Sequence, residues 1–140
     1  MGNYRELIFY QKARQVIKLV DILIKNWPKT MQAQEISRQL FRSATSVGAN
    51  IAEGHGRHQG TEYIHYLIIA RASANETEHW LHTAKDCGLG LNEKIDETLW
   101  LNNEVVKMIT GTINTLREKK QQVTEENADY LVDSDLANNA

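Results

Sequence analysis

One cysteine, one proline, few aromatics and no long apolar run: these scarcities narrow the 140-residue chain before any motif is read. A single thiol, Cys87, forms no intramolecular disulfide, so nothing points to an oxidising compartment. With no base at a telling spacing, Cys87 reads as a small buried hydrophobe rather than a nucleophile. One proline and 8 glycines exclude collagenous and mucin-like chains. No stretch reaches the length that spans a bilayer, and the first residues lack the charged-then-apolar order of a signal peptide. The expectation is a cytoplasmic protein with no membrane partner. Strand-like alternation is missing too, which leaves an all-α chain.

What is present suits one soluble globular domain: 41% hydrophobic and 24% charged residues in 16.0 kDa, enough to bury a core without disulfides or metals. Charge is unevenly placed. Five of the 18 acids (Glu125, Glu126, Asp129, Asp133 and Asp135) follow Lys120, and none of the 16 bases does, so a weakly basic body of 13 acids and 16 bases precedes an acidic end.

Four segments carry the 3.6-residue period. From Arg5 to Trp27 the stripe is Tyr10, Ala13, Ile17, Val20, Ile24 and Trp27, widened by Val16, Leu19 and Leu23 and stopped by Pro28. Thr30 is the N-cap of a second helix with Ile36, Leu40, Ala44, Val47 and Ile51 inward, broken by Gly54 and Gly56. Thr61 opens a third, with Tyr63, Leu67, Ala70, Ala74, Thr77, Leu81 and Ala84 inward and Gly88 and Gly90 as its stop. Asn92 caps a fourth, with Ile95, Leu99, Val106, Ile109, Ile113 and Leu116 on one face and Lys119 and Lys120 at its end. Short connections favour antiparallel neighbours, so the chain reads as an up-down-up-down four-helix bundle over residues 1–120. The period fades after Gln121, so 121–140 is expected to be a flexible, disordered acidic tail, with at most a short helix around Tyr130–Val132. Ile8, Phe9, Ile22, Ile64, Ile68, Trp80, Trp100, Leu101, Val105 and Met108 lie off the stripes, a surplus of apolar surface that points to self-association.

Catalytic and metal patterns fare poorly. Glu62–His65 and Glu76–His79 have the Glu-x-x-His spacing of carboxylate-bridged di-iron bundles, but both lie on one helix, about 21 Å apart at 1.5 Å per residue, where the metal pair needs different helices. His55 with His58, and His79 with His82, are spaced for zinc but lack a third ligand. Gly54, Gly56 and Gly60 follow no strand and precede no Gly-Lys-Ser/Thr, so they do not cradle phosphate. The expectation is a protein without cofactor, metal site or catalytic residue.

Basic residues supply the binding candidates. Arg38 and Arg42 stand one turn apart on helix two, and Arg57 with His55 and His58 follows at its far end; guanidinium groups grip phosphates by paired hydrogen bonds. No aromatic-rich RNA-binding module accompanies them, so readout would be non-sequence-specific. The competing use of Arg38 and Arg42 is pairing with acids of neighbouring helices or subunits.

The run Leu40 to Arg57, centred on Asn50-Ile51-Ala52-Glu53-Gly54, resembles the signature of the bacterial 23S rRNA-intervening-sequence protein family, also called the four-helix bundle protein family. Tyr4 to Ala13, Trp27-Pro28 and Glu62 to Glu76 are similar to other stretches of that family, and the likeness spans about residues 4–120. It implies a left-handed antiparallel bundle assembled as a homo-oligomer, commonly a homopentamer, with no catalytic residues. It also implies genes inside large-subunit ribosomal RNA insertions, and a related accessory protein of diversity-generating retroelements binds nucleic acid and a reverse transcriptase. Physically, Asn50 and Glu53 are expected to satisfy backbone groups at the end of helix two and Gly54 to end it, so Glu53→Ala should destabilise or disassemble the protein. The functional expectation is a non-enzymatic oligomer that binds RNA weakly through Arg38, Arg42, Arg57 and His58. The alternative is a protein–protein scaffold whose apolar surface and acidic tail engage a partner.

Overall fold

Local structure starts at Asn3, whose side-chain oxygen accepts the Arg5 amide at 3.0 Å and closes a short 3-10 turn, Tyr4–Glu6. The structure, a computed structural model, describes residues 2–57 and 60–139. Helix α1 follows as Ile8–Asn26 and stops where Trp27, in extended conformation, precedes Pro28. Its buried stripe is Phe9, Ala13, Val16, Val20 and Leu23, rotated from the expected one, so that Tyr10, Ile17 and Ile24 are only half-buried at the edge of the core.

Thr30 caps α2 (Met31–Arg57) as expected, its hydroxyl oxygen accepting the Ala33 amide at 3.1 Å. The glycines do not break this helix. It runs through Gly54 and Gly56 to Arg57, and Gly54 is buried. A Cβ there would stand 2.6 Å from the Tyr66 Cβ and 3.2 Å from Tyr63 Cδ2. Gly54 is therefore needed for its lack of a side chain where α2 meets α3, not to terminate a helix.

Helix α3 (Gly60–Asp86) buries the expected stripe, Leu67, Ala70, Ala74, Thr77, Leu81 and Ala84, together with Ile64, while Tyr63 is half-buried. It ends in a Schellman motif: the Leu89 amide bonds the Ala84 carbonyl at 2.9 Å and the Gly88 amide that of Lys85 at 3.1 Å, with Gly88 at φ 68°. Leu89 then tucks into the core, which leaves the neighbouring Cys87 exposed rather than buried as expected.

Helix α4 spans Asn92–Asn138. Its N-cap is Leu91, with no side-chain cap, so Asn92 is the first helical residue and not the cap. Each helix packs on its sequence neighbours and α1 also packs on α4, with no close backbone approach of α1 to α3 or of α2 to α4 among the described residues. That closed cycle is the up-down-up-down four-helix bundle. Two polar ties cross its interior: the Ser43 and Thr77 hydroxyls bond at 3.0 Å between α2 and α3, and the buried Asn102 amide donates to the Ala74 carbonyl at 2.9 Å between α4 and α3.

The acidic end departs from expectation. α4 continues unbroken over residues 121–138, as a helix exposed at nearly every position instead of a disordered tail. No glycine or proline occurs after Gly111, and the Gln121 side chain bonds Glu125 one turn on at 3.1 Å, so nothing local stops the helix.

Candidate functional site

The three candidate arginines all lie on α2, and each is held by a carboxylate. Arg38 grips both oxygens of Glu35, at 2.9 and 2.7 Å. That grip, helped by Gln39, holds the Glu35 carboxyl below its ordinary value. Arg42 pairs with Glu76 across on α3 and its Nε donates to Gln39 at 3.2 Å. Arg57 donates to Glu53 at 2.8 Å and lies over the Tyr66 ring, 5.4 Å from its centre. The Glu53 bond raises the Arg57 guanidinium further above its already high value.

Arg57 follows Arg42 by fifteen residues, about 22 Å along a helix, so the structure does not bring the three together into one stripe. His58 lies outside the described residues. Arg42 takes the competing use expected for it, an acid of a neighbouring helix, whereas the acid that engages Arg38 lies one turn away on α2 itself. All three guanidiniums remain open to water, with Arg38 72% and Arg42 58% exposed.

Asn50 and Glu53 do something other than close a turn. Asn50 donates to the Ser46 carbonyl at 2.8 Å inside the helix, and Glu53 spends its carboxylate on Arg57. Among the described residues no three His, Cys, Asp or Glu side chains converge on a point that could hold a metal. Of the Glu-x-x-His residues, Glu76 is taken by Arg42 and His79 packs edge-on against Trp80 at 4.8 Å between ring centres.

A different surface gathers what the arginines do not. Of the surplus apolar residues, Phe9, Ile64 and Val105 are buried and Ile68, Trp80, Leu101 and Met108 pack half-buried against the core. Ile8, Ile22 and Trp100 stay in water. Ile22 and Trp100 border the seam between α1 and α4, along which two depressions lie in series. One, of 380 Å³, is lined by Gln15, Lys18, Leu19, Glu97, Trp100 and Leu101. The next, of 310 Å³, is formed by Ile22, Leu23, Asn26, Trp27, Gly90, Leu91 and Lys94. Trp100 is 64% exposed and Leu91 69%. Leu91 was not singled out from sequence because it precedes the periodic run; only the antiparallel packing of α1 on α4 sets it beside Ile22.

The fold is thus that of a small helical bundle with an apolar seam and dispersed, acid-paired arginines. Residues 5–111 match the 23S rRNA-intervening sequence protein family, and the chain belongs to it. Among solved structures it is similar to a protein of unknown function from the S23 ribosomal protein family of Bacteroides thetaiotaomicron, at 28% identity and a TM-score of 0.67. That likeness covers 76% of this chain and 98% of the other. No curated protein matches it in sequence. No described helix is long and apolar enough to cross a membrane.

Proposed function

We propose that the protein is a non-enzymatic assembly module that docks on folded protein, copies of itself first, through the α1–α4 seam. The observation that carries this reading is the exposed row Ile22, Leu91 and Trp100 along two apolar depressions. Large exposed aromatics beside preformed hollows are the anchors from which protein interfaces draw most of their energy. Seam contacts repeated between identical chains give a closed oligomer, which displays every other surface in several copies. The test is light scattering of the intact chain and of Trp100→Glu. Loss of the higher-mass species with an unchanged circular dichroism spectrum supports the seam. An unchanged mass refutes it.

A second reading is favoured by the exposure of Arg38 and Arg42. Their carboxylate partners are surface groups, and exposed ion pairs are weak enough for phosphates to compete. On this reading an oligomer multiplies weak, non-sequence-specific RNA contacts by avidity. Anisotropy titration of a structured RNA hairpin at several salt concentrations tests it. Affinity that falls with salt and weakens in Arg38→Ala/Arg42→Ala, without change of mass, supports RNA binding. No binding at low salt removes this reading and leaves the seam.

A further inference from the structure

The helix that leaves the bundle has no work to do inside it. Leu116 is the last residue of α4 packed against the core, and the Lys120 ammonium still reaches the Thr61 hydroxyl at 2.6 Å. Residues 121–138 then project about 27 Å past the bundle. They carry exposed apolar side chains, among them Val123 and Tyr130. Ile109, Leu116, Val123 and Tyr130 recur every seven residues, so the stripe that packs the core continues beyond it. Because the helix is unbroken it cannot turn back to cover this stripe on its own bundle. The helix is already nucleated inside the bundle, so what a partner would supply is cover for the exposed apolar stripe.

Charge identifies that partner. Arg117, Lys119 and Lys120, with Glu118 among them, stand at the root of the projection, Glu125 and Glu126 lie midway, and Asp129, Asp133 and Asp135 lie toward its tip. Two copies aligned in parallel set acid against acid. Two copies aligned antiparallel set the basic root of each beside the acidic tip of the other, with Val123 level with Tyr130 of the second chain. In that arrangement like flanks of the two stripes face each other. Lys119 and Asp133 occupy the same flank, each three residues after a stripe position, and so come opposite one another twice about the two-fold axis. Glu126, on the same flank midway between them, meets its own counterpart at the axis.

We propose that residues 117–138 form a two-fold, antiparallel helix pair between two copies of this chain, an interface separate from the α1–α4 seam. The likeness to the family ends at residue 111, so this projection lies outside the part that defines the family.

The experiment is sedimentation equilibrium of the full chain in a Trp100→Glu background, which removes the seam whether or not the seam associates. The expected species has the mass of two chains. Lys119→Glu and Asp133→Lys each put like charges opposite at both symmetric contacts and should weaken the pair about tenfold. Combining them exchanges the signs and should restore the affinity to within about threefold. Glu126→Gln should tighten the pair. The full circular dichroism spectrum reports whether the bundle stays intact, since every altered side chain is exposed. A chain that remains single at all concentrations overturns the proposal, as does a double reversal no better than either single one. Trp100→Glu with no effect on mass, beside a pair that obeys the charge exchange, would refute the seam alone.

Discussion

Replacing Gly54 by alanine tests the packing of α2 on α3 more sharply than any other single change. In a helix interior alanine is favoured over glycine by about 1 kcal/mol, so on propensity alone the substitution stabilises. The structure reverses the sign. The new methyl would stand 2.6 Å from the Tyr66 Cβ, an atom fixed to the α3 backbone, and 3.2 Å from Tyr63 Cδ2. Carbon atoms at rest sit about 3.5–4.0 Å apart, so relief needs the two helices to separate by about 1 Å. Overpacking of this kind costs about 1–3 kcal/mol, which leaves a net loss of up to about 2 kcal/mol after the propensity gain. Gly56, two residues on, is exposed with nothing within 4 Å of its added Cβ, and serves as the control. Urea unfolding followed at 222 nm should move the midpoint of Gly54→Ala down, by up to about 1 M, with unchanged slope. Gly56→Ala should be neutral or stabilised by up to about 1 kcal/mol. If the two alanines shift the midpoint in the same direction, the close approach at Gly54 is not what holds the glycine there.

Other substitutions probe the remaining ties. Asn102→Ala removes the buried bond to the Ala74 carbonyl and should cost about 1–3 kcal/mol by the same urea assay; a loss under 0.5 kcal/mol would show the tie to be dispensable. A double-mutant cycle on Arg42 and Glu76 should return a coupling below about 1 kcal/mol that shrinks in salt, because both side chains are largely in water; a salt-independent value above 2 kcal/mol would contradict this. Glu53→Ala, expected from the signature to damage the fold, should instead change stability by less than about 0.5 kcal/mol, since Glu53 is exposed and, among the described residues, its carboxylate bonds Arg57 one turn away; thermal melting decides between the two. The Glu35 carboxyl is held low in the folded state, so its pair with Arg38 contributes above the unfolded carboxylate pKa and is lost as pH falls through the lowered value. The stability difference between Glu35→Gln and the parent should therefore narrow on acidification, and a gap that widens toward low pH would sink the assignment.

Which patterns could be read in advance follows from which are local. The inward stripe of α3 and the core of α2 are properties of one helix at a time, and every residue expected in them except Tyr63 is buried. The Thr30 cap and the Gly88 stop are likewise short-range, within three to five residues. Arg42 was visible as a basic residue, but its partner Glu76 is 34 residues away on another helix and no spacing rule connects them. Of the candidate arginines, two bond acids within one turn, and their exposure depends on how α2 is rolled against α3.

A 3.6-residue period and a charge count need no knowledge of neighbours, so the number of helices, their order, most of the core and the split between a basic body and an acidic end are legible along the chain. Tertiary structure alone decided that Gly54 is a contact rather than a stop, that Cys87 faces water, and that Ile22, Leu91 and Trp100 share one seam. Each of those depends on the roll and axial offset of one helix against another. Those quantities are set when all four stripes are buried together, and no single stripe contains them.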